Sequence, residues 1–260
     1  GGMSIRGSKD WLHPGETLGI FPQGRAVSGK PANYFRNTYS KSLGVLEVDR
    51  MLSRGGKVRL STTWAQNLFS TYWLAFDKKQ KLKKETLIFG IQAGFQHGLG
   101  NGGNPDPDLR YKEPGDLNYA LSARLGWSSP QWTTHLNFTT VGGKGRWLSP
   151  REWGKDAWYT FIPRERNEGF GSVQALVAYS EYRLEKVLVQ IYAHLGLHWL
   201  SDLNDFEGNK YNSPSYGQWN LGVKYQPKKV QNLDFHFILM SKQALSSKTL
   251  ANNQIYNKVE

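Results

Sequence analysis

The sequence predicts an all-β fold, an antiparallel transmembrane β-barrel, and three observations support this prediction. Several segments alternate apolar and polar residues with a period of two, the pattern of a strand whose two faces meet different surroundings. These segments run for roughly 9–12 residues, the length of a tilted membrane-spanning strand and longer than the usual ~5–6 of soluble sheets. Short turns and long loops alternate between them, as they do in outer-membrane barrels.

Composition narrows the class of protein without choosing a function. No apolar run approaches the ~18–20 residues of a membrane-spanning helix. There is no Cys, which excludes disulfides and thiolate metal sites. The net charge of +12 fits a nucleic-acid binder, a protein at an anionic surface or a channel for anionic solutes. The N-terminus, GGMSIRGSKD, lacks the apolar core of a secretory signal, so we expect a cytosolic protein, a processed chain or a fragment.

The chain divides into a polar N-terminal part and a strand-rich remainder. Residues 1–40 carry many turn formers and are predicted to be a poorly ordered N-terminal segment or loop, and residues 41–260 hold the barrel strands. In the segment 86–97, Leu87, Phe89 and Ile91 share one face, opposite Gln92 and Gln96. We count about ten strands; those with clear bounds are 42–52, 68–76, 86–97, 117–127, 131–141, 171–182, 187–199, 216–226 and 231–240.

The connections between strands indicate which end of the sheet each belongs to. Short turns are predicted near KKQKLKK, SSPQ, RLEK and QPKKVQN, and long loops at 98–116, 142–170 and 200–215. Trp127, Trp132, Trp199 and Tyr225 end strands, as aromatic girdles at lipid interfaces would. We interpret the lysine-rich DKKQKLKKE as a solvated turn, because it is short and no basic helix accompanies it. We therefore expect no nucleic-acid partner.

Two segments resemble metal sites. His194 and His198 in HLGLH have the spacing of a helical zinc pair, but on a strand such residues lie ~13 Å apart, so we predict no metal there. The loop LGNGGNPDPD offers oxygen ligands of the kind that calcium uses. Its spacing matches no full EF-hand and its dipeptides are strong turn formers, so calcium stays open. The candidate ligands are Asn101, Asn104, Asp106 and Asp108.

No arrangement of residues in the sequence predicts an enzyme. Glu152 with Glu165 or Glu168 could be a glycosidase carboxylate pair. Glu152 and Glu165 each lie beside an arginine, in PREW and PRER, so charge pairing is the simpler account. There is no nucleophile elbow, phosphate-binding loop or complete triad, and we predict no catalytic residue and no cofactor.

The segment 142–170, here called the central loop, is long, aromatic and rich in both charges. Its three tryptophans favour a packed loop that presents arginines. Its sequence GRWLSPREWGKDAWYTFIPRERNEG, together with LGNGGNPDPD and SPSYGQWNLGVKY, resembles OprD-like outer-membrane porins over roughly residues 60–260.

The resemblance implies an eighteen-stranded barrel, monomeric or trimeric, in the outer membrane of a Gram-negative bacterium, in contact with membrane lipid and lipopolysaccharide. Small polar or charged solutes would diffuse through a pore that inward-folded loops narrow, with basic groups facing acidic ones. In this sequence the matching pore-lining candidates are Arg146, Arg151, Glu152, Arg164, Glu165, Arg166 and Glu168. The alternation of the strands independently adds Arg124 and Lys224.

The sequence departs from the family pattern in two respects. About ten strands are too few for the family barrel, and the C-terminal NNQIYNKVE lacks a final aromatic-terminated strand. We therefore expect an incomplete part of a larger barrel, with a ten-stranded barrel as the alternative. The main alternative function is a soluble all-β carbohydrate-binding protein, in which Phe89 and Leu195, with Leu87 and Val189, would face a protein core. A structural or adhesive barrel, and a central loop that only covers the rim, also stay open.

Overall fold

Ten strands form one antiparallel sheet in which every strand pairs with its neighbours along the chain. The computed structural model describes residues 11–20, 24–154, 158–163, 167–227, 230, 232–246 and 256. The strands are β1 (Leu43–Leu52), β2 (Gly56–Ala65), β3 (Phe69–Leu82), β4 (Glu85–Gly98), β5 (Leu117–Ser128), β6 (Trp132–Lys144), β7 (Val173–Leu184), β8 (Val189–Leu200), β9 (Tyr216–Tyr225) and β10 (Phe235–Ala244). Two 3-10 turns, Gly15–Thr17 and Ser53–Gly55, complete the regular structure. The prediction of about ten antiparallel strands is confirmed.

β1 and β10 are the two edges of the sheet, and within the described residues they do not pair with each other. The sheet is therefore open in this structure, as part of a larger barrel would be. No helix in the described part of the chain is long and apolar enough to cross a membrane.

One strand was not predicted, and another is much longer than its predicted bounds. β2 was not predicted, although its apolar Val58 and Leu60 alternate with Lys57 and Arg59. Ser61 to Thr63 blur this alternation, and the segment therefore resembles a connection. β3 continues to Leu82 in register with β4, so the lysine-rich segment is mostly strand and only residues 83–84 form its turn.

The two faces of the sheet have the opposite burial from those of a water-soluble protein. On β5, Leu121 and Leu125 are 50% and 60% exposed, whereas Asn118 and Ser122 on the other face are buried. β4 repeats this arrangement, with Ile91 exposed and its polar neighbours buried. A contiguous apolar face of this size is stable only against another apolar surface. We call the two sides of the sheet the apolar face and the polar face.

Aromatic residues border the apolar face at both ends. Tyr72, Phe95 and Tyr119 stand in one register row near the long loops. Near the short turns, Trp132 packs on Tyr182 with ring centroids 4.7 Å apart. Tyr119 and Trp127 are eight residues apart on β5, or about 26 Å at the rise of a strand. This separation matches the ~25 Å apolar band of outer-membrane barrels between its aromatic girdles.

The described part of the N-terminal segment packs against the long loops. Leu18 and Tyr34 are buried in one cluster with Leu68, Tyr111 and Leu148. Residues 1–10 and 21–23 lie outside the described residues, so a poorly ordered segment 1–40 stays a prediction. The alternative of a soluble sheet receives no support, because Phe89 and Leu195 are exposed instead of lying in a core.

Candidate functional site

The central loop lies along the polar face of the sheet. β6 extends to Lys144 and β7 begins at Val173, so in the structure the loop comprises residues 145–172. Gln96 of β4 donates a side-chain hydrogen bond to the Leu148 carbonyl over 2.8 Å and accepts one from the Leu148 amide over 2.9 Å. This two-way bond fixes the start of the loop on the polar face, because it satisfies a buried amide side chain and a backbone unit together.

Two glycines of β4 make room for the loop's aromatic rings. A Cβ added at Gly94 would lie 2.7 Å from both Trp147 and Trp158, and one at Gly90 would lie 2.4 Å from the Tyr159 hydroxyl. Neither contact is compatible with a side chain at these positions. The tryptophans pack edge to face, with centroids 5.4 Å apart. Glycine on the strand therefore allows the loop to approach the sheet closely.

Tyr159 is held between an acid and a base on the polar face. Its hydroxyl donates to Oδ1 of Asp77 on β3 over 2.6 Å. The Arg124 guanidinium of β5 lies 4.4 Å from the centre of its ring and donates to Asn137 Oδ1 over 2.8 Å. Burial, followed by the Asp77 carboxylate, raises the pKa of the Tyr159 phenol well above its ordinary value, which keeps the phenol protonated as a donor. We call Asp77, Tyr159 and Arg124 the clamp.

The loop continues from the clamp towards the far strands. The Thr160 hydroxyl donates to that of Thr139 on β6 over 2.7 Å. The Pro163 carbonyl accepts from Gln218 of β9 over 3.1 Å and from Asn220 over 3.4 Å. The described parts of the loop therefore contact the polar face from β3 to β9.

Buried cations join the loops above the clamp. Lys210 forms an ion pair with Glu168 over 2.9 Å, and Tyr211 donates to the same carboxylate. Burial alone would lower the pKa of Lys210, but the adjacent Glu168 carboxylate raises it, so the buried amine stays protonated. Arg146 donates to the carbonyl oxygens of Arg25, over 2.8 Å, and Phe206. These contacts join the N-terminal segment and the central and 201–215 loops.

Lys112 is a further buried cation of this region. It donates to Asn118 Oδ1 over 2.7 Å and to the Arg146 carbonyl over 2.8 Å, and its Nζ lies 4.0 Å from a carboxylate oxygen of Asp116. Burial lowers the pKa of Lys112 to about 8 and raises that of Asp116 to about 6. Desolvation thus outweighs the attraction between the two charges.

The predicted site residues fall into three groups. Arg124 stands on the polar face in the clamp, and Lys224 is exposed on the same face, 5.4 Å from the ring centre of Tyr192. Arg146 and Glu168 are buried in contacts between loops. The remaining predicted residues of the central loop are Arg151, Glu152, Arg164, Glu165 and Arg166.

Within this last group, Arg151 and Glu152 do not pair with each other. Arg151 lies 5.3 Å from the centre of the Tyr211 ring, whereas Glu152 accepts from the Gly19 amide over 2.9 Å. The prediction for residues 164–166 lies outside the described residues. A pore-lining role for the whole set stays a prediction.

Below the clamp, the polar face is open towards the short turns. A cavity of about 450 Å³ lies there, lined by side chains of both charges from β7 to β10, among them Arg183, Glu185, Lys224 and His236. Further along this face, Tyr192 and His236 are hydrogen-bonded over 2.6 Å. The polar face thus has one part that the central loop fills and another part that is open and charged.

Sequence reasoning missed Asp77 and Tyr159. Asp77 was assigned to a turn, although the period-two pattern continued to Leu82 would have placed it on the polar face with Trp73. No sequence signal identifies Tyr159, because its partners on β3 and β5 are distant in the chain.

The candidate metal ligands take part in other contacts. Asn104 donates to the Asn37 carbonyl over 2.7 Å, and Asp108 pairs with Lys30 over 2.5 Å. His198 stacks on Tyr216 with ring centroids 4.7 Å apart. Within the described part of the chain, no three His, Asp or Glu residues are placed to hold a metal ion.

Solved structures share this fold. OccAB4 from Acinetobacter baumannii is 10% identical with a TM-score of 0.68, and the match covers 92% of this chain and 54% of that one. A variant of OccD1 (OprD) is 14% identical with a TM-score of 0.65, covering 85% and 57%. A BenF-like porin from Pseudomonas fluorescens Pf-5 is 9% identical with a TM-score of 0.65, covering 84% and 53%.

The expected resemblance to OprD-like porins is thus confirmed in the fold. The chain spans about half the length of the porins that it matches. No family model matches the sequence. No curated protein matches it either.

Proposed function

We propose that this chain forms part of the wall of an outer-membrane porin that lets small polar or charged solutes diffuse across the membrane of a Gram-negative bacterium. The observation that carries the proposal is the inverted burial of the sheet, with an exposed apolar face and a buried polar face. Lipid is the surrounding that suits such an apolar face. The fold shared with porins supports the same function.

The central loop is proposed to narrow the path of the solute. It occupies the polar face from β3 to β9, the face that lines the lumen if the apolar face meets lipid. Asp77 and Arg124 place opposite charges on that wall, and Lys224 adds a cation closer to the short turns. Such a transverse field orients dipolar solutes and disfavours apolar ones.

The proposed roles of the predicted residues differ. Arg124 and Lys224 act on the solute from the wall, as would Arg151, Glu152, Arg164, Glu165 and Arg166 from the loop. For Arg146 and Glu168 we propose positioning of the loops, because both are buried. The proposed activity is passage without catalysis. The proposed surroundings are membrane lipid and lipopolysaccharide, with a monomer or trimer as the assembly and no nucleic acid.

Ion conductance tests the proposed function. The chain refolded in detergent and added to planar bilayers, alone and within any longer protein that contains it, should produce discrete conductance steps. A protein that is folded in detergent but does not insert or conduct in either form would contradict the proposal.

Replacement of two loop arginines tests the narrowing. Arg164→Ala with Arg166→Ala should lower the preference for anions over cations, measured as a shift of reversal potential in a salt gradient. Arg36→Ala is the matched control, because Arg36 is an exposed arginine of the N-terminal segment. Unchanged selectivity in the double variant would favour the alternative in which the loop only covers the rim.

A further inference from the structure

A cluster of cations surrounds the short turns at one side of the sheet. It consists of Arg50, Arg54, Lys78, Lys79, Lys81, Lys83 and Lys84, here called the basic rim. The β1–β2 turn reaches β3, since a Cβ added at Gly55 would lie 2.6 Å from the Lys79 carbonyl oxygen. The two turns therefore present their cations side by side.

The basic rim has no neutralising partners in the part of the chain that the structure describes. None of the seven cations forms an ion pair there. The nearby acids are held elsewhere, since Asp49 is bound by Lys57 and Arg59 and Asp77 accepts from Tyr159. Among the described residues, Glu85 at the base of the β3–β4 turn is the acid that remains beside the cations, so the rim has a large excess of positive charge.

Turn chemistry does not account for these residues. Lys83 has φ +50° and Arg54 φ +59°, in the left-handed region that favours Gly and Asn. Hairpin turns most often place Gly or Asn at positions of positive φ. Cations at two such positions in adjacent turns cost conformational energy, and this cost suggests a use outside the turn.

The surroundings of the rim indicate its partner. Exposed apolar side chains adjoin the cations, with Leu52 on β1, Leu82 beside Lys83, and Phe89 paired in register with Lys78. The rim thus borders the apolar face, at the level where a membrane changes from acyl chains to headgroups. Clustered cations at that level attract anionic lipid.

We propose that the basic rim binds the phosphate groups of anionic phospholipids in the leaflet at the short-turn end of the sheet. This inference rests on the proposed membrane location. It adds a lipid preference confined to one side of the sheet and one leaflet.

Vesicle binding of the full chain tests this inference. Vesicles of phosphatidylcholine alone are compared with vesicles that also contain phosphatidylglycerol. The variant Lys83→Gly with Lys84→Ser removes two charges and places Gly at the position of positive φ, where hairpin turns favour it, so misfolding does not explain a loss. We expect the preference for phosphatidylglycerol to fall about 30-fold, roughly fivefold for each lysine at about 1 kcal/mol.

Matched variants distinguish binding by the basic rim from a general effect of the net positive charge. Lys41→Ser with Lys144→Ser removes two exposed charges at the long-loop end and should keep the preference. Arg54→Asn, which completes an Asn-Gly pair with Gly55, should reduce it about fivefold. If the wild type and all variants insert normally and prefer phosphatidylglycerol equally, the proposed lipid binding by the basic rim is wrong. The porin proposal is unaffected by that result. Failure to insert into either vesicle would contradict the porin proposal and the inference with it.

Discussion

At the scale of single residues, the clamp defines how the loop and the wall contact each other. Asp77 and Arg124 lie on strands that are both neighbours of β4, where Gly90 provides the space for Tyr159. The loop tyrosine thus separates an acid and a base that would otherwise face each other across a glycine. Both parts of the tyrosine side chain make a contact. Its hydroxyl bonds to the Asp77 carboxylate, and its ring packs against the Arg124 guanidinium.

Removal of the Tyr159 hydroxyl should loosen the loop. Tyr159→Phe keeps the ring under Arg124 but leaves the Asp77 carboxylate without its donor. We expect the loop to be destabilised by about 1.5–3 kcal/mol, the range for a hydrogen bond to a charged group. Faster proteolysis within the central loop would measure this effect. Tyr39→Phe, at an exposed ring, is the control, and equal cleavage of both variants would argue against the clamp.

Lys112 should make loop stability depend on pH. Its pKa is about 8 in the folded chain against 10.5 for an ordinary lysine, so the unfolded state binds more protons between these values. Stability should therefore rise as pH increases above about 8, once the buried amine is neutral. Hydrogen exchange of the 99–116 loop at pH 7 and just above 9 measures the change.

The variant Lys112→Met removes this titrating group and should remove the rise. Asp116 should have the opposite effect on stability. Its pKa is raised to about 6, so the folded state binds more protons than the unfolded state, and stability should fall as pH rises from 4 towards 6. A loop whose protection is flat across both windows would contradict these assignments.

At the scale of elements, the strands were predictable because each separates two different environments. The apolar positions of β5 and β8 recur every second residue, and the structure exposes them as a membrane strand requires. The loops were not predictable in the same way. Glu168 pairs with Lys210, which lies 42 residues further along the chain, and nothing in the sequence around Glu168 indicates that partner.

A charge on the apolar face should destabilise the protein according to its depth. Leu121→Arg, in the middle of β5, should cost about 2–4 kcal/mol in lipid, and Leu184→Arg, at the short-turn end of β7, about 0–1 kcal/mol. Urea unfolding from vesicles measures both. Equal costs at the two depths would argue against a membrane band between the aromatic rows.

A side chain at Gly94 should displace the central loop. Gly94→Val places a branched side chain where Trp147 and Trp158 lie, so we expect the loop to leave the polar face and single-channel conductance to increase. Gly44→Val on β1 is the control, because a Cβ there has its nearest neighbour at 3.8 Å. Unchanged conductance in Gly94→Val would place the narrow part of the path elsewhere.

At the scale of the whole molecule, strand length, turn alternation and the central sequence were enough to predict the sheet and its resemblance to porins. They were not enough to locate the narrow part of the path. Of the nine predicted site residues, Arg124 and Lys224 came from alternation and stand on the polar face. Arg146 came from the resemblance and is buried between loops. The sequence could not show this burial, because it depends on contacts with residues 25 and 206.

The consecutive strand order also has a consequence for the order in which the sheet and the central loop assemble. Each hairpin can join the sheet as soon as its neighbour is in place, since no strand waits for a distant partner. The central loop is different, because it precedes β7 in the chain yet bonds to β9. It cannot complete its docking until three further strands have been laid down. The polar face is thus uncovered during most of assembly, and the central loop covers it fully only near the end.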